Sequence, residues 1–249
     1  GFEGATAYGP GAKPPQRRKI KVESGYYAKK LNAEKLYQVY QTKIPQVRDY
    51  LRSEIEFVRE HLGGNETALE LGAGYGRIMK ELSPSLRRIT GIDVSEQSVA
   101  LGREYLGDLA NCTIETMDAH TLAFDETFDV VLCLQNGLSA MKGDPENLVR
   151  RSLRVLAPGG TAFFSSYSPK FWEHRLAWFQ EQAGKGLLGE IDMENTGNGR
   201  IVCKDGFTAT TFDREDMERL GKASGRPYRV EEVKDSSIFL ILRNEAPRS

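Results

Sequence analysis

Three glycines at alternate positions, Gly72, Gly74 and Gly76, follow a short apolar run at 68–71 and precede a helical pattern that begins at Arg77. Glycine is required where a backbone takes positive φ or lets a ligand approach to contact, so three in five residues imply an occupant pressed against this loop. A helix start beyond the loop leaves backbone N–H groups without partners, which suits an anionic or carboxylate-bearing ligand. The competing reading is a plain strand-to-helix turn. Glycines at 72, 74 and 76 do not match the dinucleotide fingerprint G-x-G-x-x-G, and the phosphate loop G-x-x-x-x-G-K-[ST] is absent. Asp93 closes a second apolar run 21 positions after Gly72. An acid there can accept from the hydroxyls of a ribose, or it can cap the helix that follows.

At Glu70-Leu71-Gly72-Ala73-Gly74-Tyr75-Gly76 the chain resembles the class I S-adenosylmethionine-dependent methyltransferases, whose first motif is an acidic residue, one spacer and G-x-G-x-G. The resemblance covers about residues 65–168 and the closing strands. It implies a cofactor, S-adenosyl-L-methionine, leaving as S-adenosyl-L-homocysteine. Glu70, Gly72, Ala73, Gly74 and Gly76 would form the loop beneath it, Asp93 would hold the ribose and Val94 would pack on the adenine. Asp118 would accept from the adenine amine and Ala119 would offer a backbone N–H to the ring. Leu134, Gln135 and Asn136, after the fourth strand, stand where such enzymes face the methionyl part and the acceptor. Asn-Pro-Pro-Tyr and the Pro-Cys of cytosine-carbon enzymes are missing there, and Gln135 and Ser165 occupy the strand ends where catechol-type enzymes carry magnesium-binding acids. The expectation is a metal-independent enzyme.

Methyl transfer from a sulfonium is an in-line displacement in which orientation provides most of the acceleration. A base is needed only if the acceptor loses a proton. His174, Tyr167 and His120 are the candidates, each with a competing structural reading. Tyr27, Tyr37, Asn136, Tyr167 and His174 are candidate acceptor contacts. Tyr26 and Tyr40 share the N-terminal aromatic stripe, which also fits simple core packing.

With 249 residues, 34 Lys plus Arg and 35 Asp plus Glu, the formal net charge is −1, which provides no global field for nucleic acid or membrane. Three cysteines, Cys112, Cys133 and Cys203, show neither a disulfide framework nor zinc-ligand spacing. No segment reaches the roughly 20 apolar residues of a membrane span, and no signal peptide is visible. A soluble, cytoplasmic protein is expected.

The elements that position these residues alternate strand and helix from Thr67 onward, predicting an α/β fold with a doubly wound, mostly parallel seven-stranded sheet. Residues 1–24 form a basic tail with Lys13, Arg17, Arg18, Lys19 and Lys21, expected to be flexible. The remainder, 25–249, is expected to be one domain: a helical cap at 25–64, a cofactor-binding core at 65–168, a helix and hairpin insertion on the acceptor side at 169–212, and a closing helix and strands at 213–249. Within it, Asn32 is a candidate cap for a helix ending near Pro45, and a second helix covers about 46–62. Strands are predicted at 88–92, 112–116, 128–134 and 161–165. Asp144 caps a helix whose stripe is Leu148, Val149, Val155 and Leu156, and another helix starts at Ser168-Pro169. Asp205-Gly206 suggests a hairpin with a type I′ turn. Asp213 caps a helix ending at Gly225, and 228–233 and 238–242 close the sheet as an antiparallel pair.

The expected function is methyl transfer to oxygen or nitrogen of a small molecule. The alternatives are a protein or RNA methyltransferase using the basic tail, a non-catalytic cofactor-binding interaction module, and an oxidoreductase disfavoured by the glycine spacing.

Overall fold

The first strand, β1 (Thr67–Leu71), is buried at all five positions, as a strand covered by helices on both faces must be. It pairs in parallel with β2 (Arg88–Asp93) on one side and β4 (Phe128–Cys133) on the other. β2 extends to β3 (Cys112–Thr116), and β4 to β5 (Leu156–Tyr167). The sheet closes with two antiparallel strands, β8 (Tyr228–Val233) and β9 (Ser237–Arg243), in the order β3-β2-β1-β4-β5-β9-β8. The expected doubly wound sheet of seven strands is therefore formed, with β9 inside it and β8 on the edge. This computed structural model describes residues 33–245. Asn32, Tyr26, Tyr27 and the basic tail lie outside the described residues.

The period of two along the strands feeds two cores. Val130 and Leu132 of β4 join Met79 and Leu82 of α3 (Arg77–Leu82) and Val99 and Leu106 of α4 (Glu96–Leu106) on one face. Val131 and Cys133 join Leu148 and Val149 of α6 (Pro145–Arg154) and Met217 and Leu220 of α8 (Arg214–Ser224) on the other. Ser95, Asp144 and Asp213 cap α4, α6 and α8 by accepting from backbone N–H groups, and Gly225 ends α8 in the left-handed conformation. Two further clusters cover the open end of the sheet. One joins α1 (Ala33–Val39) and α2 (Pro45–Arg59) to α7 (Trp172–Gly184), and the other joins α7 to the hairpin β6 (Ile201–Val202) and β7 (Thr208–Ala209).

Several boundaries differ from the sequence reading. Pro45 opens α2 at its first turn, where its missing N–H costs nothing, and the helix stops at Arg59. Leu156 is not the end of the α6 stripe but the first residue of β5, paired with Phe128. The Pro158-Gly159-Gly160 segment is carried as an irregularity inside that strand. A side chain on Gly160 would stand 2.8 Å from the carbonyl oxygens of Ala157 and Asp129, so only glycine closes this register shift. The hairpin turn is not type I′, which needs positive φ at two residues. Only Gly206 has it, at 97°, because the Asp205 carboxylate accepts from Phe207 N and the Gly206 N–H donates to Cys203 O. The result is a three-residue loop.

Gly91 of β2 sits against the glycine loop, and a Cβ there would lie 2.7 Å from Ala73 Cβ and 2.3 Å from Met79 Sδ. Gly91→Ala is expected to lower stability by about 1–3 kcal/mol through overpacking, read as a reduced urea midpoint at unchanged m-value. An unaltered midpoint would contradict this packing.

Candidate functional site

Strand order reverses its winding between β1 and β4, the place where open α/β sheets bind ligands beyond their strand ends. A cavity of about 510 Å³ opens there, within the range of small-molecule sites. Its floor is the glycine loop. Gly72, Gly74 and Gly76 have φ of 68°, 57° and 86°, a region that L side chains rarely occupy. Gly72 and Gly74 line the cavity together with Ala73, whereas Gly76 is not on the wall. Gly76 precedes α3 and packs on Leu106, 3.0 Å from where its Cβ would be. Leu36 of α1 lies over Gly74, so the first described helix roofs the loop.

Asp93 joins the loop to β2. Its Oδ2 accepts from Gly74 N at 2.9 Å and its Oδ1 from Ser95 N at 2.9 Å, leaving further lone pairs toward the cavity. Burial raises its pKa, and the two backbone donors oppose that. Val94 is 52% exposed on the cavity rim. Asp118 and Ala119 form the wall after β3. The Asp118 carboxylate accepts from His120 N at 2.8 Å, and His120 Nε2 lies 2.6 Å from Lys142 O, to which it donates.

At the other side Glu70 is 3% exposed, and burial pushes its pKa up to about 8, against the pull of Arg77. Arg77 donates from Nη2 to Gln135 Oε1, and its guanidinium stands 4.2 Å from the centre of the Tyr40 ring. Three atoms of this group, Glu70 Oε2, Arg77 Nε and Gln135 Nε2, are buried without a hydrogen-bond partner among the described residues. Orphaned polar atoms clustered on one cavity call for a polar ligand. Leu134 lines the same wall.

Gln135 and Asn136 both take positive φ, 53° and 63°, which is uncommon for two consecutive non-glycine residues. A carboxylate that sequence reasoning missed helps hold this turn. Glu54 of α2 is fully buried; its Oε2 accepts from Gln135 N at 2.9 Å and Ser165 Oγ at 2.8 Å, and its Oε1 from Ser237 Oγ at 2.6 Å. Burial raises its pKa to about 7 against those three donors. The available signal was its register, four residues after Tyr50 and four before Val58 on the apolar stripe of α2.

The proposed acceptor contacts divide. Tyr167 lines the cavity, is stacked on Tyr50 at 5.0 Å, and is kept protonated by burial. Tyr37 is 43% exposed, packs against Tyr75 at 5.4 Å and does not line the cavity. His174 does not line it either, and its ring lies 5.4 Å from that of Phe171. Asn136 is buried with its amide committed, Nδ2 donating to Thr210 O at 2.8 Å and Oδ1 accepting from Ser166 Oγ at 2.8 Å. Its contacts are those of a bracket rather than of an acceptor ligand. Tyr27 lies outside the described residues. Arg77, Leu36, Trp178, Phe179 and Gln182 line the cavity without having been singled out, because helices far apart in sequence bring them together.

Residues 68–160 match the family model described as "Methyltransferase domain". A ubiquinone biosynthesis O-methyltransferase of Hydrogenovibrio crunogenus is 26% identical over 138 residues, 54% of this chain and 56% of that protein, so the chain spans about half the length of the curated relative it matches. Among solved structures, the DhpI complex with SAH superposes with a TM-score of 0.60 at 19% identity, covering 87% of this chain and 94% of that one. The [4+2]-cyclase SpnF superposes with a TM-score of 0.56 at 16% identity, covering 78% and 81%. These structural likenesses concern the fold.

Glu54 and Glu70 make stability pH-dependent. Each has a folded-state pKa, about 7 and about 8, above the ordinary 4.5. The folded chain therefore retains protons that the unfolded chain releases. Their contribution is complete below pH 4.5 and is lost as pH rises through 7 and 8. Urea midpoints are expected to fall across that window, and the fall should flatten in Glu54→Gln and Glu70→Gln. An equal slope in both variants would refute the assignment.

Proposed function

We propose that this chain, whose residues 68–160 form a domain of the class I S-adenosylmethionine-dependent methyltransferase type, transfers a methyl group to oxygen or nitrogen of a small molecule without a metal ion. The observation that carries this reading is the set of three orphaned polar atoms on Glu70, Arg77 and Gln135, residues that line one cavity together with Gly72 and Gly74. One carboxylate and two nitrogen donors complement the ammonium and carboxylate of an α-amino acid. Asp93 offers acceptors for ribose hydroxyls, and exposed Val94 and Asp118 with buried Ala119 form a wall suited to adenine. The residues present thus fit S-adenosylmethionine. When bound, that cofactor supplies a methyl group activated on a positively charged sulfur.

The chain's own contribution is then orientation and exclusion of water. Leu36 covers Gly74, Tyr40 and α7 wall the same cavity, and Glu54 and Ser165 hold the Gln135 turn. Gln135, just past β4, and Tyr167 and Ser168, at the end of β5, are not acids, so these strand ends lack the carboxylates of a magnesium-dependent branch. Tyr167 stays protonated and His120 Nε2 is engaged with a carbonyl, which favours catalysis by alignment over proton abstraction by either. On this reading 65–168 holds the cofactor, while 25–64 and 169–212 shape the acceptor end. A small, partly aromatic cavity without a run of basic residues on its wall supports a metabolite over RNA or protein as the acceptor. The cyclase neighbour bears the same fold with a different chemistry, so the decisive readout is S-adenosylhomocysteine release over a metabolite panel.

Two variants test the pocket by calorimetric titration with S-adenosylhomocysteine. Gly74→Val should abolish binding, because its φ of 57° disfavours a side chain and its Cβ would stand 2.8 Å from Leu36 Cδ2. Asp93→Ala should weaken binding at least tenfold through loss of charge-assisted hydrogen bonds, each about 1.5–3 kcal/mol. Wild-type affinity in both would overturn the assignment.

A further inference from the structure

We infer that Glu54 of α2 is a positioning residue for the methyl donor: it presents the Gln135 side chain by gripping the Gln135 main chain, and it does so by shape rather than by charge. Calling the ligand a methyl donor rests on the methyltransferase reading. The helix that carries Glu54 lies outside residues 68–160, so part of the helical cap reaches across 81 residues of sequence to set the cofactor wall. Gln135 and Asn136 take φ of 53° and 63°, a backbone that persists in non-glycine residues only where its surroundings over-determine it. Here the Gln135 N–H is shared between Glu54 Oε2 at 2.9 Å and Ser165 Oγ at 2.8 Å, and Asn136 N donates to Ser165 O at 3.0 Å. Ser165 Oγ donates in turn to Glu54 Oε2 at 2.8 Å, which closes a triangle around one amide. At the other end of the side chain, Gln135 Oε1 accepts from Arg77 Nη2. That commits the oxygen and leaves Nε2 buried and without a partner among the described residues, on a residue that lines the cavity. A main chain turned at 135 would re-aim this amide, because rotamers follow φ and ψ.

The second oxygen of Glu54 shows why shape suffices. Oε1 accepts from Ser237 Oγ at 2.6 Å, and a hydroxyl there can reverse and accept instead. A carboxyl with its proton on Oε1, or a primary amide with its nitrogen there, still leaves one oxygen to accept from Gln135 N and Ser165 Oγ. The ionisable groups that face Glu54 are Arg77 of α3, Tyr50 of α2, Cys133 of β4 and Tyr167 of β5. Burial holds the last three protonated, and Arg77 favours the charged form of Glu54 less than any of the three hydrogen bonds does. The grip is therefore built from neutral donors of fixed direction.

The test is calorimetric titration of the full chain with S-adenosylhomocysteine, beside amide hydrogen exchange at Gln135 in the ligand-free protein. Glu54→Asp keeps the charge and loses the reach; it should weaken binding about tenfold and speed Gln135 exchange by a similar factor. Glu54→Gln keeps the shape and loses the charge, and both readouts should stay within about twofold of wild type. Gln135→Ala should cost about as much affinity as Glu54→Asp, and the double variant no more than either alone, because one residue acts through the other. Val58→Ala, one turn further along α2 in the apolar core, controls for lost stability and should leave the affinity at its wild-type value. If Glu54→Asp does not fold, Ser165→Ala loosens the same grip and should show the same loss, absent in the Gln135→Ala background. Glu54→Gln as weak as Glu54→Asp, wild-type affinity in the loosened variants, additive losses in the double variant, or an equal loss in Val58→Ala overturns the inference and leaves the methyltransferase reading standing. No heat from the unmodified chain would reject that reading, and the donor with it.

Discussion

A carboxylate with no solvent exposure, Glu54, ties the helical cap to the sheet. It collects donors from the turn after β4, from β5 and from β9, three segments that lie side by side in the sheet. Leaving those donors unpaired in the interior would be costly. The left-handed backbone at Gln135 and Asn136 persists because Glu54, Ser165 and Ser166 over-determine it. That backbone in turn aims the Gln135 amide at Arg77, and Arg77 at the face of Tyr40. One buried acid on a helix of the cap thus shapes the wall beside the glycine loop.

The glycine loop itself is stitched on its other side. Ala73 N donates to Ile92 O and Gly74 N to the Asp93 carboxylate, so the loop and the end of β2 behave as one piece. Asp93 has a structural duty as well as the ligand duty proposed for it, and the two readings entertained for it from sequence are not exclusive. It also accepts from Ser95 N, next to the start of α4.

The features legible in the sequence were those carried by local order: the strand–glycine–helix unit, the capping residues Ser95, Asp144 and Asp213, and the acids after successive strands. Each depends on neighbours within a few positions. What stayed hidden depends on distant pairing. Arg77 and Gln135 are 58 residues apart, and Glu54 reaches Ser237 across 183. An acid on a helix reads as solvated unless its place on the apolar stripe is noticed. Asn136 stood in the position of an acceptor contact, yet the structure engages both ends of its amide. The turn at Asp205-Gly206 was misjudged because the Asp205 side chain competes for a backbone donor and leaves positive φ to glycine alone.

The hairpin segment is docked on the core by contacts to its main chain. Asn136 donates to Thr210 O, Lys142 to Thr208 O, Ser139 Oγ accepts from Thr210 N, and Ser166 Oγ from Phe212 N. The same segment turns Ile201, Cys203, Phe207 and Ala209 inward against Phe179 of α7, so its mount has a fixed apolar face as well as a main-chain grip. Only the exposed positions of such a flap, Lys204 and Thr210 among them, can be re-lettered without its coming loose.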